Sequence, residues 1–468
     1  MTTWNREHDL LLAEGMRWAA GGGDVERATA LRHHALQINH QHYLERIPLY
    51  RELAKRARVG AGAKVPELAR ELLLPDNIFK SYPQSYLDTR DFAAMNRWLS
   101  TIFDKPIETR GGLATIDEWL AALGERGVHA VYSSGTSGNL SFVPRDAYSW
   151  ALFREAPLPY TMLLLARLGI IARWKAVAAK LAGRTLSPAR FQQVFERVGL
   201  RDFDGIFLNF RGGNQGIQLV GQQLAQRVRR ATFLYPIEIS ATALRTLARG
   251  KPNAVERAHT EAFLDATVRK KDANYARILD ATRAAVREGQ KALVFGAPYL
   301  VKELCDKIVA SGAPLQLPAG SIVGYGGGWK SFDGERLSEP ALRSLIERAL
   351  GVTAPFVVEA YSMTEIGALM MKCEHGRFHV PPHLETIILD AKLEPSSDIG
   401  DGDDAAGILA VMDPFAVSYP GFLITGDAVH RTRRPCECGL AGETFLSVGR
   451  AAGAEIKGCG GIMATVNA

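Results

Sequence analysis

Cysteine is scarce in this chain, with five among 468 residues. An odd count in a long chain points away from a disulfide framework and toward a reducing compartment, the cytoplasm, with metal or thiol chemistry. Long apolar runs are also lacking. Tyr160-Thr-Met-Leu-Leu-Leu-Ala166, the longest, stops at Arg167, meets Arg173 and Lys175 soon after, and is too short to span a bilayer. It reads as a buried helix, with contact to a lipid or acyl chain as the sharper alternative. The polar opening Met1-Thr-Thr-Trp-Asn-Arg-Glu-His8 has no signal-peptide core. Low-complexity tracts, repeats and long like-charge blocks are missing as well, which excludes extensive disorder. The surplus of six positive charges is scattered, not striped or interleaved with aromatics. That argues against nucleic acid and leaves an acidic partner protein or a phosphorylated small molecule.

What the chain does have is length enough for two or three subdomains. Residues 1–125 read as a helical N-terminal segment broken by Pro48, Pro66, Pro75 and Pro83 and ending in Ile116-Asp-Glu-Trp-Leu-Ala-Ala-Leu123. Residues 126–376 alternate strands with helices. The strand candidates are 128–132, 140–144, 205–209, 231–235, 292–296, 321–324 and 356–360, and the helical segments lie near 240–249, 256–288, 298–311 and 338–350. This is the pattern of an α/β core with a largely parallel sheet and its ligand sites at the strand ends. Residues 377–448 carry strands without helices, at 385–389, 407–411 and 422–425, and read as a small β-rich subdomain. A short tail, 449–468, follows.

The loop Val131-Tyr-Ser-Ser-Gly-Thr-Ser-Gly-Asn139 is rich in hydroxyls and glycine between two strand candidates. Such a loop exposes backbone N–H groups that can wrap a polyphosphate, and read alone it is equally a hairpin turn. A Walker loop would end in Gly-Lys-Ser/Thr and open a helix. Asn139 stands where that lysine would be, so a P-loop NTPase is disfavoured. Three later stretches can serve the same ligand: Gly324-Tyr-Gly-Gly-Gly-Trp-Lys330, Tyr361-Ser-Met-Thr-Glu365 and Thr425-Gly-Asp427. They offer a ring to cover a base, a hydroxyl for a phosphate oxygen, a carboxylate for Mg²⁺, and a carboxylate for ribose hydroxyls. Each also has a plain turn-forming reading.

Taken together, these residues resemble the adenylate-forming superfamily of acyl- and aryl-CoA ligases, peptide-synthetase adenylation domains and luciferases. Tyr132 to Gly138 resembles its phosphate-binding motif, Tyr361 to Glu365 its Tyr-Gly-x-Thr-Glu motif, and Thr425 to Asp427 its ribose motif. Gly449-Arg450 with Lys457-Gly458 resembles the hinge motif. Within the superfamily the chain is most similar to acyl-protein synthetases of the LuxE type, then to phenylacetate-CoA ligases. The grounds are Phe79-Lys-Ser-Tyr-Pro83, the loop itself and Gly326-Gly-Gly-Trp-Lys330. None of the four superfamily motifs lies in residues 1–125.

The resemblance implies the large α/β domain of an adenylate-forming enzyme, with a helical N-terminal segment, mixed sheets and a small β-rich subdomain. ATP would be bound by Ser133, Ser134, Gly135, Thr136, Ser137 and Gly138, with Gly326, Gly327, Gly328 and Tyr361 around the adenine. Thr364 would touch the α-phosphate, Glu365 would hold Mg²⁺, and Asp427 and Arg450 would hold the ribose. A carboxylic acid would become an acyl-adenylate with release of pyrophosphate. A thiol would then take the acyl group: Cys459 near the C terminus, with Lys457 beside it to favour a thiolate, or else coenzyme A or an acyl carrier protein. A binding module without turnover is the non-enzymatic alternative.

Two departures stand out. The loop continues Asn139-Leu-Ser-Phe-Val-Pro-Arg145 instead of Pro-Lys-Gly, so a phosphate-binding cation is missing or replaced by Arg145. Only eleven residues follow Lys457, so the family's mobile C-terminal domain and its adenylation lysine are expected to be absent.

The other cysteines form a second constellation. Cys373 and His379, with Cys436 and Cys438 some sixty residues on, are the ligand types of a closed tetrahedral Zn²⁺ site at two hairpin tips, and His375 is the rival histidine. Cys305 lies on an apolar helix face and reads as core.

Overall fold

In the computed structural model, several helices begin where a short polar side chain caps the first turn. Asp24 accepts from the Arg27 amide at 3.0 Å at the head of Val25–Arg46. Thr115 accepts from the Glu118 amide at 3.1 Å at the head of Ile116–Glu125. Asn253 and Glu256 close a reciprocal capping box that opens Ala254–Leu264. The structure describes residues 3–135, 139–167, 169–171, 175–177, 179, 200–249, 251–329, 332, 334–395, 403–452 and 457–458. The chain forms two compact units, one from Met1–Val131, Ser141–Gln192 and Met363–Glu455, the other from Tyr132–Leu140, Gln193–Ser362 and Ile456–Ala468.

The first unit is built on an antiparallel sheet ordered Phe378–His379, Thr444–Arg450, Phe422–Thr432, Asp404–Met412, Glu385–Leu389. All three strands expected beyond residue 377 are present, two of them longer than their apolar cores. The N-terminal helices share this sheet's core. Tyr43 and Tyr50, both fully buried, meet the Phe422 ring edge-on at 5.4 and 6.0 Å, and Asn39 Nδ2 donates to the Pro414 carbonyl at 2.8 Å. Each such buried aromatic contributes about 1.5–3 kcal/mol of burial. The N-terminal segment is not wholly helical: Leu74–Pro75 pairs in parallel with Leu423 and Ile424 and so joins the sheet. The apolar run lies in the helix Pro157–Arg167, with Tyr160 to Ala166 buried. No described helix is long and apolar enough to cross a membrane.

The second unit holds the parallel sheet. Its strands run in the order Val228–Glu238, Leu200–Gly212, Lys291–Gly296, Ile322–Gly326, Val357–Tyr361, every neighbour parallel. Helices alternate with them, including Lys271–Arg287, Pro298–Ala310 and Glu339–Leu350. Val294, Val323 and Val357 are buried along the sheet, as expected for parallel strands covered on both faces. The helix expected across 256–288 is broken instead, by a π-turn over Asp265–Arg269. Thr267, fully buried, donates its hydroxyl to the Phe263 carbonyl at 2.7 Å, and Asn274 Nδ2 donates to the Ala266 carbonyl at 2.8 Å. These side chains compete for carbonyls that a regular helix would use itself.

Candidate functional site

The motif segments fall in both units. The strand His129–Gly135 leads into the hydroxyl-rich loop, and from Tyr132 on it belongs to the second unit. Tyr132 anchors it: the amide donates to the Asn214 carbonyl at 2.8 Å and the hydroxyl to the Ile239 carbonyl at 3.0 Å. Ser133 is buried. Ser134 and Gly135 are described as strand backbone, and Thr136, Ser137 and Gly138 lie outside the described residues. Lys457–Gly458 pairs antiparallel with this backbone, Lys457 opposite Gly135 and Gly458 opposite Ser134. The Lys457 side chain and all of Cys459 lie outside the described residues.

Gly326 ends its strand beside Ala360, where a Cβ would stand 2.8 Å from the Ala360 carbonyl oxygen. Gly327 and Gly328 have φ of 81° and 66°, a conformation that strains other residues. The glycine run is therefore required by the backbone, and the resulting turn is free of side chains. Tyr361 is half-buried at the end of the next strand.

In the first unit, Thr364 and Glu365 are 7% and 4% exposed. Asp427 and Arg450 are directly paired across adjacent strands, with Arg450 Nη1 2.8 Å from Asp427 Oδ1. Thr425 supports them, accepting the Asp427 amide at 3.1 Å and donating to the Leu409 carbonyl at 2.7 Å. A guanidinium held on a carboxylate fixes the orientation in which that carboxylate can accept hydroxyl hydrogen bonds.

Arg145 is not placed as a phosphate-binding cation. It is fully buried, its Nη2 donating to the Thr364 carbonyl at 2.6 Å and its guanidinium carbon 3.8 Å from the Phe153 ring centre. The strand Leu140–Arg145 is buried along its whole length, so its last residue is carried inward. Two partners of this arrangement, Asp413 and Tyr419, were not singled out from sequence. The available signal was Asp413 itself, a lone carboxylate within Val411-Met-Asp-Pro-Phe-Ala-Val417, where a charge must find partners or be exposed.

The second constellation is brought together. One ligand atom from each of Cys373, His379, Cys436 and Cys438 lies within 4.8 Å of all the others. Cys373 Sγ is 3.7 Å from Cys436 Sγ, and Cys438 Sγ is 3.3 Å from His379 Nε2. A tetrahedral zinc with Zn–S of about 2.3 Å spaces its sulfurs about 3.8 Å apart, so the donor set and its spacing fit that ion. The hydrogen bond from Cys438, with help from His379, holds the Cys373 thiol well below the ordinary thiol range against its burial. His375 stands apart, its Nδ1 3.3 Å from Glu437 Oε2. This is the only such cluster found among the described residues.

Residues 256–466 match the family described as acyl-protein synthetase, LuxE. Over that stretch the chain is LuxE-like. The LuxE-like stretch includes Tyr361 to Glu365, Asp427 and Arg450, and the resemblance to adenylate-forming enzymes read from these motifs is borne out. A long-chain-fatty-acid–luciferin-component ligase of Vibrio harveyi is 25% identical over 174 residues, 37% of this chain and 44% of the relative. The match thus spans less than half of that relative. Among solved structures, 2-hydroxyisobutyryl-CoA ligase, captured after adenylation with its acyl-AMP, is similar with a TM-score of 0.50 at 12% identity. The similarity covers 91% of this chain and 68% of that one. It shows the fold: the chain has the α/β architecture of that ligase.

Proposed function

We propose that this protein activates a carboxylic acid with ATP and passes the acyl group to a thiol. The observation that carries the reading is the Asp427–Arg450 pair, formed across adjacent strands inside the stretch that matches acyl-protein synthetases. In the first step a carboxylate oxygen attacks the α-phosphorus, the bond from that phosphorus to the bridging oxygen breaks, and pyrophosphate leaves. No side-chain nucleophile is needed, so the protein's part is positioning and charge neutralisation. The loop amides and hydroxyls of residues 133–138 would hold the phosphates, Thr364 would meet the α-phosphate, and Glu365 would hold Mg²⁺, whose chemistry would be to neutralise phosphate charge. Gly326 to Gly328 and Tyr361 frame the adenine, and Asp427 and Arg450 take the ribose.

In the second step a thiolate attacks the acyl carbonyl and AMP leaves with the electron pair of the broken anhydride bond. Cys459 is the proposed acceptor, supported by the pairing of Lys457 and Gly458 with the loop strand just before it in sequence. Coenzyme A or an acyl carrier protein is the alternative acceptor. Cys373, His379, Cys436 and Cys438 would hold a structural Zn²⁺, which would tie two hairpin tips together.

Acid-dependent ATP–pyrophosphate exchange, run over aliphatic and aromatic acids, tests the first step. Glu365→Ala and Asp427→Ala should each lower exchange at least about 100-fold, since each removes charged contacts to nucleotide or metal. Full exchange in either variant would show that the nucleotide is misplaced, and no exchange with any acid would leave a binding module. For the second step, intact mass after incubation with ATP and acid should show an acyl adduct that disappears in Cys459→Ser. An adduct that persists would move the acceptor elsewhere.

A further inference from the structure

The turn that follows the strand Val357–Tyr361 carries Thr364 and Glu365, and its peptide groups are held by side chains distant in sequence. Arg145 Nη2 donates to the Thr364 carbonyl at 2.6 Å and also lies 3.0 Å from the Tyr419 hydroxyl oxygen. That hydroxyl in turn donates to the Glu365 carbonyl at 3.0 Å. Asp413 Oδ2 accepts the Gly367 amide at 2.6 Å, and Oδ1 accepts the Phe415 amide at 2.9 Å. Arg145, Asp413 and Tyr419 are 0%, 0% and 1% exposed.

We propose that Arg145, Tyr419 and Asp413 are positioning residues: a buried polar clamp that fixes three peptide groups of the Thr364–Gly367 turn and thereby aims the Thr364 hydroxyl and Glu365 carboxylate. The inference rests on the nucleotide and metal roles proposed for those two side chains. Its force lies in where the polar groups are spent. Burying a guanidinium and a carboxylate is a poor way to add stability, because apolar side chains of similar volume usually do as well or better. Arg145 Nη1 is buried without a hydrogen-bond partner among the described residues, so the arginine is not optimised as a stability element. The hydrogen bonds that the three side chains make to the turn end on its backbone, and together they pin residues 364, 365 and 367 outside any strand. Rigid backbone is what an electrostatic site needs, since a displacement of about 1 Å at a positioned group can cost about 100-fold in rate.

Tyr419→Phe tests the clamp with least disturbance, because it removes only the hydroxyl and keeps the ring packed edge-on to Phe79 at 5.8 Å. Arg145→Lys is the companion, keeping the charge near Asp413 but losing the planar fork. Each variant is measured by ATP–pyrophosphate exchange and by amide hydrogen exchange over residues 361–368. The expected result is a kcat about 10-fold lower with KM for ATP changed less than about 3-fold, together with faster amide exchange confined to that segment. Faster amide exchange with wild-type kcat would overturn the positioning role. Unchanged amide exchange would overturn the clamp itself. Wild-type protein that supports no exchange with any acid would overturn the adenylation reading, and the positioning role with it, a failure recognised because it appears before any substitution is made.

Discussion

Removing one of the proposed zinc ligands is the sharpest perturbation available, because the four side chains join the tips of two hairpins whose strands also pair, Phe378 opposite Phe445 and His379 opposite Thr444. Each hairpin closes on itself, through Cys373 N to the Arg377 carbonyl at 3.0 Å and Gly439 N to the Cys436 carbonyl at 2.9 Å. Between them, besides the ligand atoms, Arg377 Nη1 reaches the Arg434 and Pro435 carbonyls at 3.1 and 3.2 Å from an exposed position. A metal held at about 100 times its Kd contributes about 2.7 kcal/mol. With about 2–4 °C of Tm per kcal/mol for a unit of this size, its loss should lower Tm by about 5–10 °C. Protein purified without chelator should carry one zinc per chain by elemental analysis, and Cys438→Ser should lose both the zinc and the stability. His375→Ala should keep both, because His375 faces Glu437. The hairpin of Cys436 and Cys438 connects the strands Phe422–Thr432 and Thr444–Arg450, which carry Asp427 and Arg450. Zinc loss should therefore also raise KM for ATP. A zinc-free protein with unchanged Tm, or loss of metal in His375→Ala, would refute the ligand set.

Acid should destabilise the fold from near neutrality downward. Burial holds the His8 imidazole down to about 4 and that of His383 down to about 3, from 6.5. Both are neutral in the fold, so the unfolded chain binds more protons below pH 6.5. Stability is full above that value and is lost as pH falls toward 4 and 3, by about 3 kcal/mol for His8 alone at about 1.4 kcal/mol per pH unit. Because the raised carboxyls of Asp413 and Glu443 act in the opposite sense, urea unfolding of wild type and His8→Gln is compared between pH 7 and 4. The wild type should lose more stability, and equal slopes would mean the ring is reached by solvent. Cys305, fully buried with its thiol pushed up to about 12 by burial, should resist alkylation in native protein and react only after unfolding. Rapid native labelling at Cys305, read by peptide mass, would contradict its place in the core.

Much of the parallel sheet was legible because its strands are short apolar runs bounded by turn residues, as in Ala292 to Gly296. The ends of the strands were less so: Leu200–Gly212 extends well past the apolar stretch 205–209, through charged residues whose backbone still pairs. The N-terminal helices were legible one by one, but their shared core with the antiparallel sheet was not. Nothing local in Tyr43 or Tyr50 names Phe422 as a partner, and the parallel addition of Leu74–Pro75 depends on a pairing nearly 350 residues away. The break at Asp265–Arg269 was hidden for a different reason. Thr267 and Asn274 fit a helical pattern by type, and the reach of the Asn274 amide to the Ala266 carbonyl eight residues back is a contact that no local pattern announces.

The ligand types at Cys373, His379, Cys436 and Cys438 could be read directly because thiolates and imidazoles keep one chemistry wherever the chain puts them. Arg145 shows the opposite case. A cation after a phosphate-type loop is read as a phosphate ligand, because arginine in solvent has little else to do there. Along Leu140–Arg145, however, every residue is buried, and a charge carried inward must be met by carbonyls, hydroxyls or a carboxylate. The Thr364 carbonyl, the Tyr419 hydroxyl and the nearby Asp413 meet it. The same cation therefore bears on the Thr364–Glu365 turn from within the fold, and in the proposed reaction the phosphate charge would have to be met by groups outside this strand.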